Sequence, residues 1–431
     1  MILRSIALYF FIFLSMPIFG QTLQDVDTTG GFGKNLLSLY KKFDHLKFSG
    51  YMQPQFQVID TVGAESFNGG NFSPYSNNRF MLRRGRLRLD YADYNKENQP
   101  TVALVFQMDG TERGFFARDF WGRVYENKLQ CFALSAGIMV RPFGNELLYS
   151  SGDRESPERG RMSQILMRTE RDLGMTITFE PRKKGSKFKF FKWDLMIGNG
   201  QGLTGATDVD SRKDFISRIA IKPQIVARNI KISGGISALY GGIRQFSSKS
   251  YAVQNARFVL EENIANIGRT TARTYFGADV QVKIPNGEGK GIAEFRAEYI
   301  TGKQSALAKT SETPGVVALE SDGSFSPLYT RSFNGAYFYY LQHLGSPKHQ
   351  LILKYDWYDP NTKVRKTTLD NTFSAADVRY STFGVGYIYY VNSNLKIATY
   401  YEVVKNEITA LKGYNRDLKD NLFTCRMQVR F

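Results

Sequence analysis

The chain has 431 residues and a formal net charge of +17, with 57 Lys and Arg against 40 Asp and Glu. Its mean hydropathy of −0.33 excludes a bundle of transmembrane helices, because each such helix needs about 20 apolar residues in a row. Two cysteines and three histidines exclude a disulfide scaffold and a zinc finger, while 33 Phe and 25 Tyr exclude a disordered chain. A charge of this size usually indicates nucleic acid or an acidic membrane as partner.

The first twenty residues have the pattern of a secretory signal peptide. Arg4 supplies one positive charge, residues 6–19 form an apolar run, and Gly20 ends it. The alternative, a single membrane anchor, is disfavoured because the run is short and contains Pro17. We therefore predict that residues 1–20 direct export past the inner membrane, which argues against nucleic acid as a partner.

Between this segment and the first predicted strand, Asn35–Leu46 carries apolar residues at helical spacing. Leu36, Leu39 and Tyr40 would share one face of the helix. We predict a periplasmic segment over residues 21–46 that contains this short amphipathic helix.

From residue 47 onward, apolar and polar residues alternate. The last segment shows the pattern clearly, since one face would carry Phe423, Cys425, Met427, Val429 and Phe431. A period of two is typical of a β-strand with one apolar and one polar side. Sixteen such segments are predicted, over residues 47–59, 79–93, 100–109, 116–127, 129–141, 173–181, 187–198, 213–223, 229–241, 271–284, 290–303, 332–343, 349–358, 378–391, 394–404 and 421–431.

The gaps between these segments alternate in length. Short gaps such as 94–99 and 344–348 alternate with long ones such as 142–172, and only 110–115 is short where a long gap is due. A soluble β-sandwich, which is the alternative fold, has no reason to keep this alternation, whereas a transmembrane barrel has short periplasmic turns and long outer loops. We therefore predict an all-β fold for residues 47–431: a 16-stranded antiparallel transmembrane β-barrel with short periplasmic turns and long extracellular loops.

The aromatic excess fits the same fold. Transmembrane barrels carry girdles of aromatic residues at both membrane interfaces. The candidates for these girdles are Tyr91, Trp193, Tyr337, Tyr339, Tyr387, Tyr401 and Phe431.

Several stretches of the chain resemble the outer-membrane phosphate-selective porins O and P. In chain order they are Arg79–Asp90 (RFMLRRGRLRLD), Ser135–Gly144 (SAGIMVRPFG), Glu158-Arg159, Glu170–Gly174 (ERDLG), Gly198–Gly202 (GNGQG), Glu298–Lys303 (EYITGK) and Tyr355–Asn361 (YDWYDPN), with a terminal Phe431. Each stretch is short, and the resemblance is carried by their order and by their spread over most of the chain.

This resemblance implies a porin of the bacterial outer membrane, surrounded by outer-membrane lipid. Members of the family are sixteen-stranded barrels, typically homotrimers, with a third outer loop folded into the lumen. By this likeness, residues 142–172 would form the constriction loop. The terminal strand ending at Phe431 would be the signal that the barrel-insertion machinery reads.

Strand phase indicates which charged residues face the lumen. If the apolar faces point to lipid, basic residues outnumber acidic ones on the inward faces. A positive lumen with low-dielectric walls concentrates anions, and the planar guanidinium group matches phosphate. The residues that we predict to line an anion pathway are Arg84, Arg86, Arg88, Arg218, Lys222, Arg273, Arg296 and Arg426.

Arg84, Arg86 and Arg88 are the most specific feature of this set. Because they are spaced two apart, they would form a ladder with about 6–7 Å between steps. A ladder of moderate sites lets an anion move on without tight binding, and the resemblance favours it because the pore of the family is lined with arginines. The alternative is that these arginines pair with carboxylates of the barrel wall and only stabilise it.

The predicted constriction loop is nearly neutral. Its basic residues are Arg154, Arg159, Arg161, Arg168 and Arg171, and its acidic residues are Glu146, Asp153, Glu155, Glu158, Glu170 and Asp172. The loop contains no lysine, whereas the phosphate-selective porins use lysines as well as arginines to capture the ion. The sequence therefore predicts a general anion preference rather than strict phosphate specificity.

Other function classes fit the sequence less well. A barrel hydrolase needs a histidine near a serine nucleophile, but His343 and His349 flank a short turn without a nucleophile motif. An adhesin or structural barrel without anion selectivity is the other alternative. We predict no enzymatic activity, no catalytic residue, no metal and no cofactor. The predicted function is a water-filled, anion-preferring channel for passive diffusion of phosphate-like or other small anionic solutes.

Overall fold

The computed structural model describes residues 45–203, 208–227, 229–364, 366 and 372–431. The chain divides into two compact units, Met1–Lys47 and Phe48–Phe431. The predicted signal peptide lies outside the described residues, and so does the helix predicted over Asn35–Leu46, apart from its last two positions. Within the described part of the chain, no helix is long and apolar enough to cross a membrane.

Among the residues that the structure describes, eighteen strands form in chain order. They are β1 (Leu46–Ile59), β2 (Asn78–Tyr94), β3 (Pro100–Thr111), β4 (Gly114–Tyr125), β5 (Phe132–Val140), β6 (Arg171–Phe179), β7 (Phe191–Gly198), β8 (Asp214–Ala227), β9 (Ile230–Arg244), β10 (Lys249–Gln254), β11 (Arg257–Glu262), β12 (Thr270–Pro285), β13 (Ile292–Ala306), β14 (Leu328–His343), β15 (His349–Asp359), β16 (Tyr380–Tyr390), β17 (Leu395–Asn406) and β18 (Leu422–Arg430). In the described parts of the connecting loops lie one α-helix, α1 (Arg161–Leu166), and two 3-10 helices (Ile264–Asn266 and Ala375–Asp377).

All strands except β10 and β11 form one closed antiparallel barrel. Consecutive barrel strands pair with each other, and β9 pairs with β12 across the loop that holds β10 and β11. Pairing of β18 with β1 closes the ring, with Phe56 opposite Cys425 and Ile59 opposite Leu422. The barrel therefore has sixteen strands, one for each predicted segment, which confirms the predicted fold class.

The alternation seen in the sequence becomes an outer and an inner face. In β6, Leu173, Met175 and Ile177 are exposed on the outside, whereas Thr176 and Thr178, on the alternate positions, are buried. A closed sheet satisfies its backbone hydrogen bonds internally and can meet lipid with its apolar face. The outer face is therefore a surface suited to hydrocarbon, and the inner face is polar.

Two of the predicted girdle residues are placed wrongly by the sequence. Tyr337 and Tyr339 are buried inside the barrel, where their hydroxyl groups contact Glu298 and Ser156. Inside the barrel, the polar partner of Tyr339 belongs to the loop after β5, whereas that of Tyr337 belongs to β13. Alternation alone could not show this, since an amphipathic tyrosine suits either face.

The connections also alternate, as the gaps in the sequence predict. Short turns at one end are 95–99, 126–131, 180–190, 286–291, 344–348 and 391–394, and long loops at the other end are 60–77, 141–170, 199–213, 245–269, 307–327, 360–379 and 407–421. The exception is the turn between β3 and β4, where only Glu112 and Arg113 separate the strands at the long-loop end.

The loop between β9 and β12 forms a hairpin that the sequence did not predict. β10 and β11 pair antiparallel, and β10 also pairs in parallel with the first residues of β14, with Ser250 opposite Leu328. Tyr251 stacks on Tyr329, with ring centroids 4.2 Å apart. The hairpin is therefore attached to the barrel rim.

Candidate functional site

The loop between β5 and β6, residues 141–170, lies inside the barrel. Its Glu155 carboxylate accepts a hydrogen bond of 2.8 Å from Arg296 of β13. Its Gly152 carbonyl oxygen accepts one of 3.1 Å from Lys396 of β17. Because β13 and β17 lie across the lumen from β5 and β6, the loop crosses the interior and packs against the opposite wall.

Apolar packing fills the space under this loop. Phe143, Met162 and Leu166 are buried in a cluster with inward side chains of the wall, including Tyr275 and Phe333. The rings of Phe143 and Tyr275 meet edge to face at 6.2 Å. Burial of such side chains stabilises the loop by roughly 1.5–3 kcal/mol each.

Glu158 is the main polar anchor of the loop. Its carboxylate contacts Arg83 at 2.8 Å, Arg84 at 2.6 Å and Arg426 at 3.0 Å. Burial acts to raise the pKa of Glu158, but the three guanidinium groups outweigh burial and hold the pKa well below its usual range. Arg426 also donates to the carbonyl oxygen of Pro157 at 2.6 Å.

A second anchor uses a carboxylate of the wall. Glu298 of β13 accepts hydrogen bonds from the backbone N–H groups of Asn145 (2.8 Å) and Glu146 (3.0 Å). It also accepts from the hydroxyl group of Tyr337 at 2.9 Å. These bonds satisfy backbone donors that would otherwise be buried without a partner.

The loop returns to the wall through a third network, at its end next to β6. Glu170 contacts Arg118 of β4, Arg159 and Arg171, and Arg171 reaches Asp119 at 3.1 Å. Burial acts to raise the pKa of Glu170, but these arginines hold it well below its usual range. Of these two arginines, both predicted for the constriction loop, Arg159 pairs with Glu170 within the loop, whereas Arg171 begins β6 and contacts both Glu170 and Asp119 of β4.

The arginine ladder of β2 faces inward, and each step has a carboxylate partner. Arg84 pairs with Glu158 at 2.6 Å, Arg86 with Asp109 at 2.5 Å and Arg88 with Asp90 at 2.7 Å. Arg84 and Arg86 are buried, whereas about a third of the Arg88 side chain (35%) is exposed. Structural pairing therefore describes the first two arginines, Arg84 with the loop and Arg86 with the wall, and Arg88 is partly exposed to the lumen.

The other predicted pathway residues are paired in the same manner. Each of them contacts a carboxylate of the wall or of the loop: Arg218 with Asp279 (2.5 Å), Lys222 with Glu180 (2.5 Å), Arg273 with Asp214 (2.7 Å), and Arg296 with Glu294 (2.6 Å) and Glu155 (2.8 Å). In the loop, Arg154 lies 4.0 Å from Glu158 and exposed Arg168 pairs with Glu312 at 3.0 Å. Arg161 instead stacks on the rings of Tyr380 (3.6 Å) and Phe67 (4.2 Å).

A cavity of about 270 Å³ lies beside the loop, along β2–β7. Six basic and two acidic side chains line it: Arg86, Arg88, Arg123, Arg159, Arg171 and Lys192 with Asp119 and Asp194. Trp121 and Leu148 add apolar surface to the same lining. The loop leaves this part of the lumen open, although Glu158 and Glu170 also attach it to arginines of β2 and β4.

Arg123 is the lining residue that the sequence interpretation missed. Its guanidinium group donates to the hydroxyl of Ser135 at 2.7 Å and lies 5.2 Å from the ring centroid of Trp121. No carboxylate of the described residues lies within 4.0 Å of it. Strand phase could have identified it, since exposed Phe120 and Val124 are outward, but inward Trp121 interrupts the alternation of apolar and polar residues.

No protein-family model matches the sequence, and no curated protein shows a significant sequence match. Solved structures do match the fold. The outer membrane channel DcaP of Acinetobacter baumannii is similar over 90% of this chain and 97% of its own, with a TM-score of 0.54 and 13% identity. OprB of Pseudomonas putida is similar over 94% of this chain and 97% of its own, with a TM-score of 0.56 and 9% identity. At such low identity, these similarities show a shared fold.

The fold and its surface also determine where the protein resides. A closed sixteen-stranded barrel with an apolar outer face is stable in lipid and is the architecture of bacterial outer-membrane proteins. The chain therefore has the porin fold, and it is a protein of the bacterial outer membrane.

Proposed function

We propose that this protein is a passive outer-membrane channel that prefers small anions, phosphate-like ions among them. The fold that it shares with the outer membrane channel DcaP supports a channel. The open cavity beside the loop supplies a water-filled path, with the short turns at the periplasmic end as is usual for this architecture.

The observation that carries the anion preference is the lining of this cavity, with six basic and two acidic side chains. Most of the basic groups are paired, so their charges are largely compensated. Arg123 has no such partner among the described residues, and its positive charge faces the cavity. An uncompensated charge in a low-dielectric passage attracts ions of opposite sign.

We further propose that residues 142–172 act as the constriction loop. The loop occupies one side of the lumen, so solutes would pass between it and β2–β7. Its three polar anchors would keep the width of the passage constant. Phosphate would be contacted by arginines and by Lys192, which fits the resemblance to the phosphate-selective porins only in part, because the loop itself offers no lysine.

A channel is a better proposal than an enzyme. His343 and His349 are engaged at a turn: His343 contacts the backbone of Ile292, and His349 contacts the hydroxyl of Tyr387.

The homotrimer and the recognition of the strand ending at Phe431 by the insertion machinery stay predictions from the resemblance.

Reconstitution in a planar bilayer tests the proposal. In a gradient of potassium chloride, the reversal potential should have the sign of chloride preference, and added phosphate should carry or block current. A reversal potential of the opposite sign, or an absence of conductance with correctly folded protein, would contradict it.

A further inference from the structure

The turn between β6 and β7, residues 180–190, is the most basic of the described short turns. Its four lysines, Lys183, Lys184, Lys187 and Lys189, are all exposed. The ion pairs nearby involve other lysines, Lys192 with Asp194 and Lys222 with Glu180. Among the described residues, none of the four forms an ion pair.

The other short turns of the described chain do not share this property. The turn 95–99 carries one Lys and one Glu, as do the turns 126–131 and 286–291, whereas 344–348 carries only Lys348 and 391–394 carries no charge. The excess of positive charge is therefore concentrated on one side of the barrel end. A structural requirement of all short turns cannot account for it.

Hydrogen bonds give the basic turn a defined shape. The Arg182 N–H donates to the carbonyl of Gln130 at 2.8 Å, and its guanidinium donates to that of Phe132 at 3.1 Å. The backbone of Ser186 donates to Lys183, and that of Lys189 to Ser186, each at 3.2 Å. Arg182 is thus used to hold the turn, whereas the lysine ammonium groups are left available.

Aromatic residues show that this turn lies at the membrane interface. On the outer face at this end of the barrel, the ring of Phe179 lies 5.3 Å from Phe132 and 5.9 Å from Phe191. Within the turn itself, the side chains of Phe188 and Phe190 are 61% and 40% exposed. Aromatic girdles of barrels lie at the level of the lipid headgroups, so the lysines next to them lie at the level of the lipid phosphates.

We propose that the turn 180–190 binds the headgroups of anionic phospholipids in the bilayer leaflet at the short-turn end. This inference rests on the outer-membrane position and the periplasmic orientation of the turns. The ammonium groups would contact the lipid phosphates, and Phe188 and Phe190 would enter the interfacial region. Clusters of basic residues beside a membrane attract anionic lipids in this manner. The site would fix the tilt and depth of this side of the barrel.

The test uses the purified, folded full chain in detergent, mixed with equal amounts of phosphatidylglycerol and phosphatidylcholine. Native mass spectrometry then gives the ratio of the two lipids bound. We expect the wild-type barrel to retain phosphatidylglycerol preferentially. The variant K183Q/K184Q/K187Q/K189Q should lower this ratio at least about threefold.

A matched control removes the same charge at the other end. Lys309, Lys363, Lys412 and Lys419 are exposed in the long loops, and K309Q/K363Q/K412Q/K419Q should keep the wild-type ratio. Equal loss in both variants would overturn the site, because net charge alone would then explain binding. Displacement of the bound lipid by millimolar inorganic phosphate would also overturn it, in favour of a free-phosphate site.

Planar-bilayer measurements on the same variant separate this inference from the channel proposal. The turn is outside the cavity beside the loop, so K183Q/K184Q/K187Q/K189Q should keep the wild-type sign of ion preference. Loss of lipid retention with unchanged ion preference is the result expected. A variant that keeps its lipids would refute the headgroup site, whatever the channel conducts.

Discussion

Two sides of the lumen use the same types of side chain differently. On the side that the loop covers, arginines of β2, β13 and β18 are buried against it and are compensated in pairs or larger groups around residues such as Glu158. On the open side, the loop leaves a cavity in which Arg123 lacks a carboxylate partner among the described residues and Arg88 is partly exposed. We therefore expect an inward charge to contribute to ion preference only where the loop does not cover or neutralise it.

The largest change in stability should come from Glu158→Gln, which removes the carboxylate at the centre of the compensated side. Three buried guanidinium groups would lose their shared carboxylate, and breaking a buried ion pair in this way costs about 3–5 kcal/mol. The urea midpoint for unfolding of the detergent-folded barrel should fall, and single-channel current should become larger and noisier as the loop leaves the wall. Asp153→Asn is the control, because Asp153 lies in the same loop but pairs with Arg430 in an exposed position. Wild-type current in Glu158→Gln would show that the loop does not need this anchor.

On the open side, Arg123→Ala should reduce ion preference without affecting folding. A unit charge acting at about 6 Å through water contributes about 0.7 kcal/mol, or about threefold in the permeability ratio. Reversal potentials in a salt gradient would measure this ratio. Arg269→Ala is the control, since Arg269 is exposed in the loop 245–269 and pairs with Glu261. Equal effects of the two substitutions would place the selective charge elsewhere.

Two loop carboxylates should also differ in their response to pH. Asp420, in the loop before β18, lies near Arg161. Burial raises the pKa of Asp420 to about 6, with Asp417 adding to the rise and Arg161 opposing it. Because folding favours its protonated form, the stabilisation is fully present below the ordinary value of 3.8 and is lost as the pH rises through about 6. The pKa of Glu158 stays well below its usual range, so the loop anchor remains ionised over this interval.

Asp420→Asn should therefore raise the urea midpoint at pH 7.5 and have little effect at pH 4. Unfolding curves of both proteins at the two values would check this prediction. A variant that is equally stable as the wild type at pH 7.5 would show that the carboxylate is not destabilising in the fold.

The smallest effect is expected for Arg88→Ala. Arg88 is partly exposed to the lumen, but its charge is compensated by Asp90 at 2.7 Å. Its loss should change the permeability ratio less than twofold, well below the effect of Arg123→Ala.

In contrast, Arg84→Ala should lower the unfolding midpoint, because Arg84 is buried against Glu158. A change in ion preference for Arg88→Ala as large as that for Arg123→Ala would restore the arginine ladder as the conducting path.

Much of the fold could be predicted, because apolar and polar residues alternate along a strand that lies between lipid and water. Sixteen segments and the alternation of turns and loops could be read in this way, including the short connection between β3 and β4. The hairpin of β10 and β11 could not, since it is attached through contacts with β14 that are distant in sequence. Tyr337 and Tyr339 were assigned to the wrong face, because their inward partners, Glu298 of β13 and Ser156 of the loop after β5, are distant in sequence.

The sequence by itself determined the sixteen barrel strands and most of the charged residues that face inward, because both follow from a local period of two. Only the tertiary structure decided which of those charges are compensated. That outcome depends on the loop of residues 141–170, which brings Glu155 and Glu158 to arginines of distant strands. The same path leaves Arg123 without a carboxylate partner among the described residues. The electrostatic field of the lumen is thus set by contacts across the barrel, which no local pattern encodes.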